Sequence, residues 1–399
     1  IYLMENLLHR YNPWWEKGYL DASFIQRDKI FETLLHQLNN RQIVFITGLR
    51  RIGKTTFLKM LIQTLIHKHN INSKYVLYIC MDDYMLINKS IIDIVEEYRK
   101  VHKLGFGEHI YLFFDEITYK KDYEIQLKNL FDNHNVKIFA SSSSASLLKS
   151  KRPYLTGRSV IFELLPLDFN EYLLFKNIKI KKADAHLIPG YFEEFLKTGG
   201  IPEYVLKGDP SYLQTLVDDI IFKDIAAVNN IKDPRILIDY FLLLMERAGK
   251  LVSINKIATI LQISPDTSKR YLTFFSDAYL VYLLGRHGKT NERLLSAKKV
   301  YAPDLGIRTS YTGFRDKGSL FENYVFLQIK GLKPSYIYQD TAEIDFFTEN
   351  KILIEVKYHH EALSEKQNLL FNKINAKKKI IIRSNADLEQ LVSPDSSIS

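Results

Sequence analysis

The run Gly48-Leu49-Arg50-Arg51-Ile52-Gly53-Lys54-Thr55-Thr56 follows directly on the apolar stretch Ile43-Val44-Phe45-Ile46. Two glycines bounding a short loop, with a lysine and a threonine behind them, suit the holding of phosphate. Gly48 lets the chain leave a strand at a dihedral other residues avoid, and Gly53 lets backbone N–H groups close on an anion with no Cβ in the way. A helix starting near Lys54 points its N-terminus at the same anion. The backbone from Leu49 through Arg50, Arg51 and Ile52 then lines the cradle. Lys54 meets the β- and γ-phosphate oxygens as a point charge, Thr55 offers its hydroxyl to Mg²⁺, and Thr56 reaches the α-phosphate. ATP or ADP with Mg²⁺ is the expected ligand.

A second pair of chemical groups, Asp115-Glu116, ends the apolar run Ile110-Tyr111-Leu112-Phe113-Phe114. If that run is a central strand, both carboxylates arrive at the phosphate edge of the sheet. Asp115 would hold the Mg²⁺ shell opposite Thr55, and Glu116 would polarise the water that attacks the γ-phosphate. A strand that simply ends in solvated acids is the plainer alternative.

A third group lies near the C-terminus: Glu322 on an expected helix, Asp345 in Glu343-Ile344-Asp345-Phe346-Phe347, and Glu355-Val356-Lys357 at the end of an apolar strand. Strand alternation puts Glu355 and Lys357 on one face. This set resembles the PD-(D/E)xK nuclease core. The resemblance implies Mg²⁺ held by Glu322, Asp345 and Glu355, with Lys357 orienting or helping to deprotonate a water for phosphodiester attack. Three readings stay open: a metal-dependent nuclease, a nuclease-derived fold that only binds nucleic acid or protein, and an unrelated α/β domain.

Periodicity supplies the elements that must position these groups. Helix 24–40, strand 43–46, helix 54–69, strand 75–81, helix 90–102, strand 110–114, helix 123–132, strand 136–140, helix 145–149 and strand 160–164 alternate, which predicts a doubly wound parallel sheet with its ligand edge at the strand C-termini. From Pro166 the pattern turns helical and is broken once by Gly199-Gly200-Ile201-Pro202. Residues 254–261 and 266–277, joined by Ile263-Ser264-Pro265, have helix-turn-helix spacing, with Lys269 and Arg270 on the second helix. Such units also serve as plain protein contacts. The expected organisation is an N-terminal arm (1–23), a P-loop core (24–165), a helical lid (166–234), a winged helix-turn-helix (235–300), a small α/β restriction-endonuclease-like domain (301–392) and a frayed tail (393–399).

The chain resembles archaeal and bacterial P-loop ATPases of the AAA+ superfamily whose C-terminal half was long labelled a domain of unknown function. The residues behind this are Thr47 to Thr56, Asp115-Glu116-Ile117, Ser143-Ser144-Ala145, Leu155-Thr156-Gly157-Arg158, Leu165-Pro166-Leu167, Gly199-Gly200-Ile201-Pro202 and Gly318-Ser319-Leu320-Phe321-Glu322-Asn323. The resemblance implies a sensing hydroxyl at Ser141, in Ser141-Ser142-Ser143-Ser144, where the family usually has Thr-Gly-Ser-Ser. It also implies that Arg158 reaches a neighbour's γ-phosphate in a homo-oligomer; a local acid is the competing partner for that arginine.

At 399 residues the chain exceeds one core, and with 46% hydrophobic and 25% charged residues it has ordinary globular composition. The single cysteine, Cys80, excludes an internal disulfide and a cysteine-based zinc site. No apolar run reaches the roughly eighteen residues of a membrane span, and no secretory signal pattern opens the chain. A cytoplasmic location with no membrane contact is the expectation. Ile1, in place of methionine, points to trimming at the front.

The net charge of +9 favours an anionic partner, and Arg286 to Lys333 holds ten Lys/Arg against four acids. A further basic run is Lys377-Lys378-Lys379. DNA is the expected macromolecular partner. Trp14 and Trp15 read as apolar anchors for the arm. The sequence thus predicts an ATPase that works on nucleic acid, with a metal-dependent nuclease as one of the three open readings of its C-terminal domain. The alternative is a nucleotide-operated switch whose C-terminal half holds a partner protein.

Overall fold

The computed structural model describes residues 2–18, 20, 23–145, 154–359 and 362–392. They fall into two compact units, 1–164 and 165–399. The first is built on five parallel strands: β1 (Ile43–Thr47), β2 (Val76–Cys80), β3 (Ile110–Asp115), β4 (Val136–Ser142) and β5 (Ser159–Glu163), in the order β2-β3-β4-β1-β5. β1 and β4 are buried along their whole length, which is why β1 reads as a nearly unbroken apolar run rather than an alternating one. Phe45, Leu77, Ile79, Leu112, Phe114 and Ile138 share one core with Ile94, Val95 and Tyr98 of the helix Ile91–His102. That helix is opened by a reciprocal cap between Ser90 and Asp93.

β2 is an edge strand, and the N-terminal arm covers it. Asn12 accepts the Tyr78 N–H at 2.6 Å and donates to the Tyr78 carbonyl at 2.9 Å, as a neighbouring strand would. The indole N–H groups of Trp14 and Trp15 both donate to the Val76 carbonyl. An open row of backbone donors and acceptors is thereby satisfied. The helix expected over 24–40 is shorter, Asp28–His36 followed by a tight turn Gln37–Asn39. Residues 146–153 and 393–399, where a helix and a frayed tail were expected, lie outside the described residues.

The second unit begins with helices Phe169–Phe175, Ile188–Thr198, Pro202–Lys207 and Tyr212–Asp219. Gly199 ends the second of these at φ +74°, where a Cβ would lie 2.4 Å from the Asp304 carboxylate. Asp304 is buried and takes the Gly200 N–H at 2.6 Å and the Ile307 N–H at 3.0 Å. Helices Arg235–Glu246, Ile254–Ile260 and Pro265–Asp277 then combine with an antiparallel sheet of β6 (Leu251–Val252), β7 (Tyr282–Leu284) and β8 (Lys298–Tyr301), with β8 in the middle. Ser253 and Ser264 cap the last two helices.

The helix Lys317–Ile329 leads into β9 (Ser335–Gln339), β10 (Ala342–Phe347) and β11 (Ile352–Val356), followed by the helix Glu365–Lys373 and β12 (Lys378–Ile382). The sheet order is β12-β11-β10-β9, with β11 and β12 parallel and the other pairs antiparallel. Asp340 and Thr341, both at positive φ, make the two-residue turn between β9 and β10. Among the described residues no helix is long and apolar enough to cross a membrane.

Candidate nucleotide site and a buried carboxylate cluster

Gly48 leaves β1 at φ +142°, and a Cβ there would stand 2.5 Å from the Leu164 carbonyl oxygen. That carbonyl is fixed nearby because the Leu164 N–H donates to Thr47 at 2.7 Å. Arg51 (φ 60°) and Gly53 (φ 104°) also take positive φ, a winding that makes a backbone nest for anions. Leu49 and Ile52 are buried and root the loop in the core. They can offer a ligand only their backbone. The helix Lys54–His67 starts directly after Gly53.

Lys54 is buried; its Nζ donates to the carbonyls of Gly48 at 3.1 Å and Leu49 at 3.0 Å and stands 3.9 Å from Glu116. A phosphate oxygen would replace neutral carbonyl acceptors with charge-assisted bonds. Thr55 Oγ1 donates to Asp115 Oδ2 at 2.6 Å. A hydroxyl and a carboxylate oxygen placed together in this way are the hard donors that Mg²⁺ takes beside phosphate oxygens and water. These residues fit a nucleotide with Mg²⁺.

The two acids that end β3 are held differently. Asp115 accepts from Thr55, from the phenol of Tyr78 at 2.9 Å and from Ser141 Oγ. Burial, and then Asp115 itself, push the Tyr78 phenol far up, so it remains a donor. Glu116 turns out of the strand with left-handed dihedrals, φ 50° and ψ 50°. Its carboxylate accepts the Ser143 N–H at 3.0 Å and the Ser143 hydroxyl, and its own N–H donates to Ser141 Oγ at 3.0 Å. Ser142 exchanges a 3.0 Å hydrogen bond with Thr118. Three serines of the run 141–144 therefore bind to the segment that carries the acids.

Arg158 precedes β5, at the end of the parallel sheet away from the Gly48–Gly53 loop. It makes two hydrogen bonds to Asp132, at 2.9 and 3.3 Å. Within its own chain it is remote from the loop.

The sequence profile of the AAA domain matches residues 40–173, which holds all of these groups. An uncharacterized protein of Methanocaldococcus jannaschii is 32% identical over 388 residues, covering 89% of this chain and 85% of the relative. The chain belongs to that protein's family and carries an AAA domain. That match supports ATPase activity for residues 40–173. A protein of Haemophilus influenzae is 27% identical over 91% of this chain and 94% of its own. A domain of unknown function (DUF8612) matches residues 190–318 of this AAA protein. Among solved structures, a Walker-type ATPase of Pyrococcus abyssi is similar at 15% identity, with a TM-score of 0.44, over 72% of this chain and 96% of that one; that likeness is too weak to argue from.

In the second unit of the AAA protein, Glu322, Asp345, Glu355 and Lys357 come together as expected, but not around space for a metal. Lys299, on β8, extends its ammonium among the acids: 2.6 Å to Glu343, 3.0 Å to Glu322 and 3.3 Å to Asp345. Glu355 is fully buried, with Lys357 and Gln367 each 3.0 Å from its Oε1 and the Asp345 N–H on Oε2. The other oxygen of Asp345 takes the Val356 N–H at 2.9 Å. Among the described residues no three His, Cys, Asp or Glu side chains are grouped so as to hold a metal ion. As arranged here, the expected set Glu322, Asp345 and Glu355 does not fit Mg²⁺, because the Lys299 ammonium stands against Glu322 and Asp345 and the Lys357 ammonium against Glu355.

Burial raises the carboxyl groups of Glu322 and Glu355. Burial would lower Lys299, yet Glu322 and then the other acids around it hold it well above an ordinary lysine. Lys299 enters the sequence reading only as one cation among ten in a basic stretch, although its residue is 2% exposed. A lone lysine between an alanine-lysine pair and a Val-Tyr-Ala run carries no signal for such a place.

Proposed function

We propose that Lys54, Thr55, Asp115, Glu116 and Ser141 carry ATP hydrolysis, and that the unit 165–399 uses this turnover on nucleic acid. The observation behind the first part is the 2.6 Å contact of Thr55 with Asp115 beside the Glu116–Lys54 approach. Lys54 and the 48–53 backbone bind the phosphates, and Thr56 reaches the α-phosphate. Thr55 and Asp115 would hold Mg²⁺, which would supply positive charge against the charge that develops on the phosphate. Glu116, aimed by Ser143 and by its own left-handed backbone, orients the attacking water and accepts its proton. Ser141 joins both acids and transmits a change at one to the other. Arg158, which cannot serve its own loop, acts on a neighbouring copy's γ-phosphate and is held ready by Asp132.

For the second part, the helix Pro265–Asp277 exposes Lys269 and Arg270 and belongs with β6, β7 and β8 to a winged helix-turn-helix. Residues 317–382 form a restriction-endonuclease-like core of helix, three strands, helix and parallel strand. Arg286, Arg293, Lys333 and Lys351 line a cavity of about 500 Å³ in this unit. Cations so arranged suit a phosphate backbone. ATP turnover measured with duplex DNA, with RNA and with neither tests this reading. Faster turnover and salt-sensitive binding are expected with one of the polymers. No change in turnover and no retention of either polymer would refute the nucleic-acid part, while Lys54→Ala binding ATP at wild-type affinity would refute the phosphate cradle.

A further inference from the structure

We infer that Lys299 is a built-in cation which takes the place of a divalent metal in the carboxylate cluster, so that the C-terminal core is a metal-free module rather than a nuclease. The contrast with cutting rests on the nuclease-like reading of residues 317–382; the exclusion of metal rests on geometry alone. An ammonium has three N–H donors, and Lys299 has three carboxylate partners: Glu322 from the helix Lys317–Ile329, and Glu343 and Asp345 from β10. A divalent ion drawn to these same acids, with oxygens at roughly 2.0–2.6 Å, would stand against that buried ammonium, and two cations in one low-dielectric cluster repel. The two cations cannot share the position.

Lys299 is buried and rooted in the middle of a sheet. β8 is the middle strand of its sheet, and Lys299 is paired with Leu251 of β6 and with Leu284 of β7. Two residues on, and so on the same face, Tyr301 donates to the same Glu322 oxygen at 2.7 Å. The strand pairing fixes the root of the side chain, and the three carboxylates around the ammonium hold its tip. The lysine also joins the three-stranded sheet to the four-stranded one, since β8 and β10 belong to different sheets.

The test is Mn²⁺ titration of the nucleotide-free full chain, followed by electron paramagnetic resonance of free Mn²⁺, for wild type, Asp345→Asn, Lys299→Met and Lys299→Met/Asp345→Asn. Wild type and Asp345→Asn are expected to give the same isotherm. Lys299→Met should gain one equivalent of bound Mn²⁺ at least tenfold tighter than any wild-type binding and lose it in the double variant. It should also melt at a higher temperature with Mn²⁺ than without. If Lys299→Met does not fold, Lys299→Met/Glu343→Gln buries one charge fewer and takes its place in the same titration. A wild-type Mn²⁺ site that Asp345→Asn abolishes would overturn the inference, as would folded Lys299 variants that gain no site. No nucleic acid enters this assay, so a missing response to DNA would fault the proposed function and leave this result standing.

Discussion

Ser141 Oγ lies between the two acids that end β3, donating to Asp115 and accepting the backbone N–H of Glu116 at 3.0 Å. One hydroxyl thus fixes a carboxylate suited to Mg²⁺ and the peptide that aims a carboxylate suited to water. Ser141→Ala is expected to slow ATP turnover about tenfold or more while ATP affinity stays within about threefold, because the phosphate contacts are untouched. Phosphate release and nucleotide titration separate the two. Wild-type turnover in this variant would reduce Ser141 to a structural residue.

Tyr78 supplies Asp115 with a buried donor at 2.9 Å. Tyr78→Phe leaves that carboxylate short of a partner, and urea unfolding should show a loss of about 1–3 kcal/mol. The Mg²⁺ concentration needed for half-maximal turnover should rise as well, since Asp115 is no longer held in place. If neither quantity moves, the phenol does not hold Asp115.

The two loop glycines should respond unequally. At Gly48 a Cβ collides with the Leu164 carbonyl at 2.5 Å, whereas at Gly53 it meets nothing within 4 Å and only the positive φ resists it. Gly53→Ala should cost about 1–2 kcal/mol from backbone strain alone. Gly48→Ala should cost more, and thermal melts of the two side by side decide the matter. Equal destabilisation would mean that the chain around Leu164 yields.

His102 packs edge-on against Trp15, with ring centroids 4.3 Å apart, and burial holds its imidazole down to about 4. Since the unfolded value is near 6.5, the folded protein binds fewer protons between those limits. Stability is therefore complete above about pH 6.5 and is lost as pH falls toward 4, by on the order of 2 kcal/mol after allowance for partial solvent screening. Denaturant unfolding at pH 7 and pH 5 should show a larger loss for wild type than for His102→Phe. Equal losses would show that His102 does not titrate in this way.

The strands that carry Gly48 and Asp115 were legible because β1 and β3 are buried on both faces, so hydropathy alone marks them, and their polar ends stand out sharply. The Thr55–Asp115 pairing followed from that placement. Other parts depend on contacts between residues far apart in the chain. Tyr78 looks like any apolar strand residue until β2 lies beside β3. Asp304 counts in the sequence only as one of four acids in the basic stretch, yet it caps a helix and also receives the Gly200 N–H from across the unit. Lys299 counted as surface charge because composition records a charge and not its partner. β12 was hidden by Lys377-Lys378-Lys379, which masked the apolar Ile380-Ile381-Ile382 behind them. Glu322, Asp345 and Glu355 of the C-terminal cluster were found by their spacing, but Glu343 and the cation among them were not.

Glu116→Gln tests the central claim most directly, because it keeps the size and hydrogen-bonding reach of the side chain and removes only the base. In a paired measurement of ATP binding and single-turnover phosphate release, the variant should bind Mg²⁺-ATP as tightly as wild type and release phosphate about 10²-fold more slowly or worse. Release at the wild-type rate, with binding intact, would contradict the assignment of Glu116 and with it the hydrolytic site drawn around Lys54, Thr55 and Asp115.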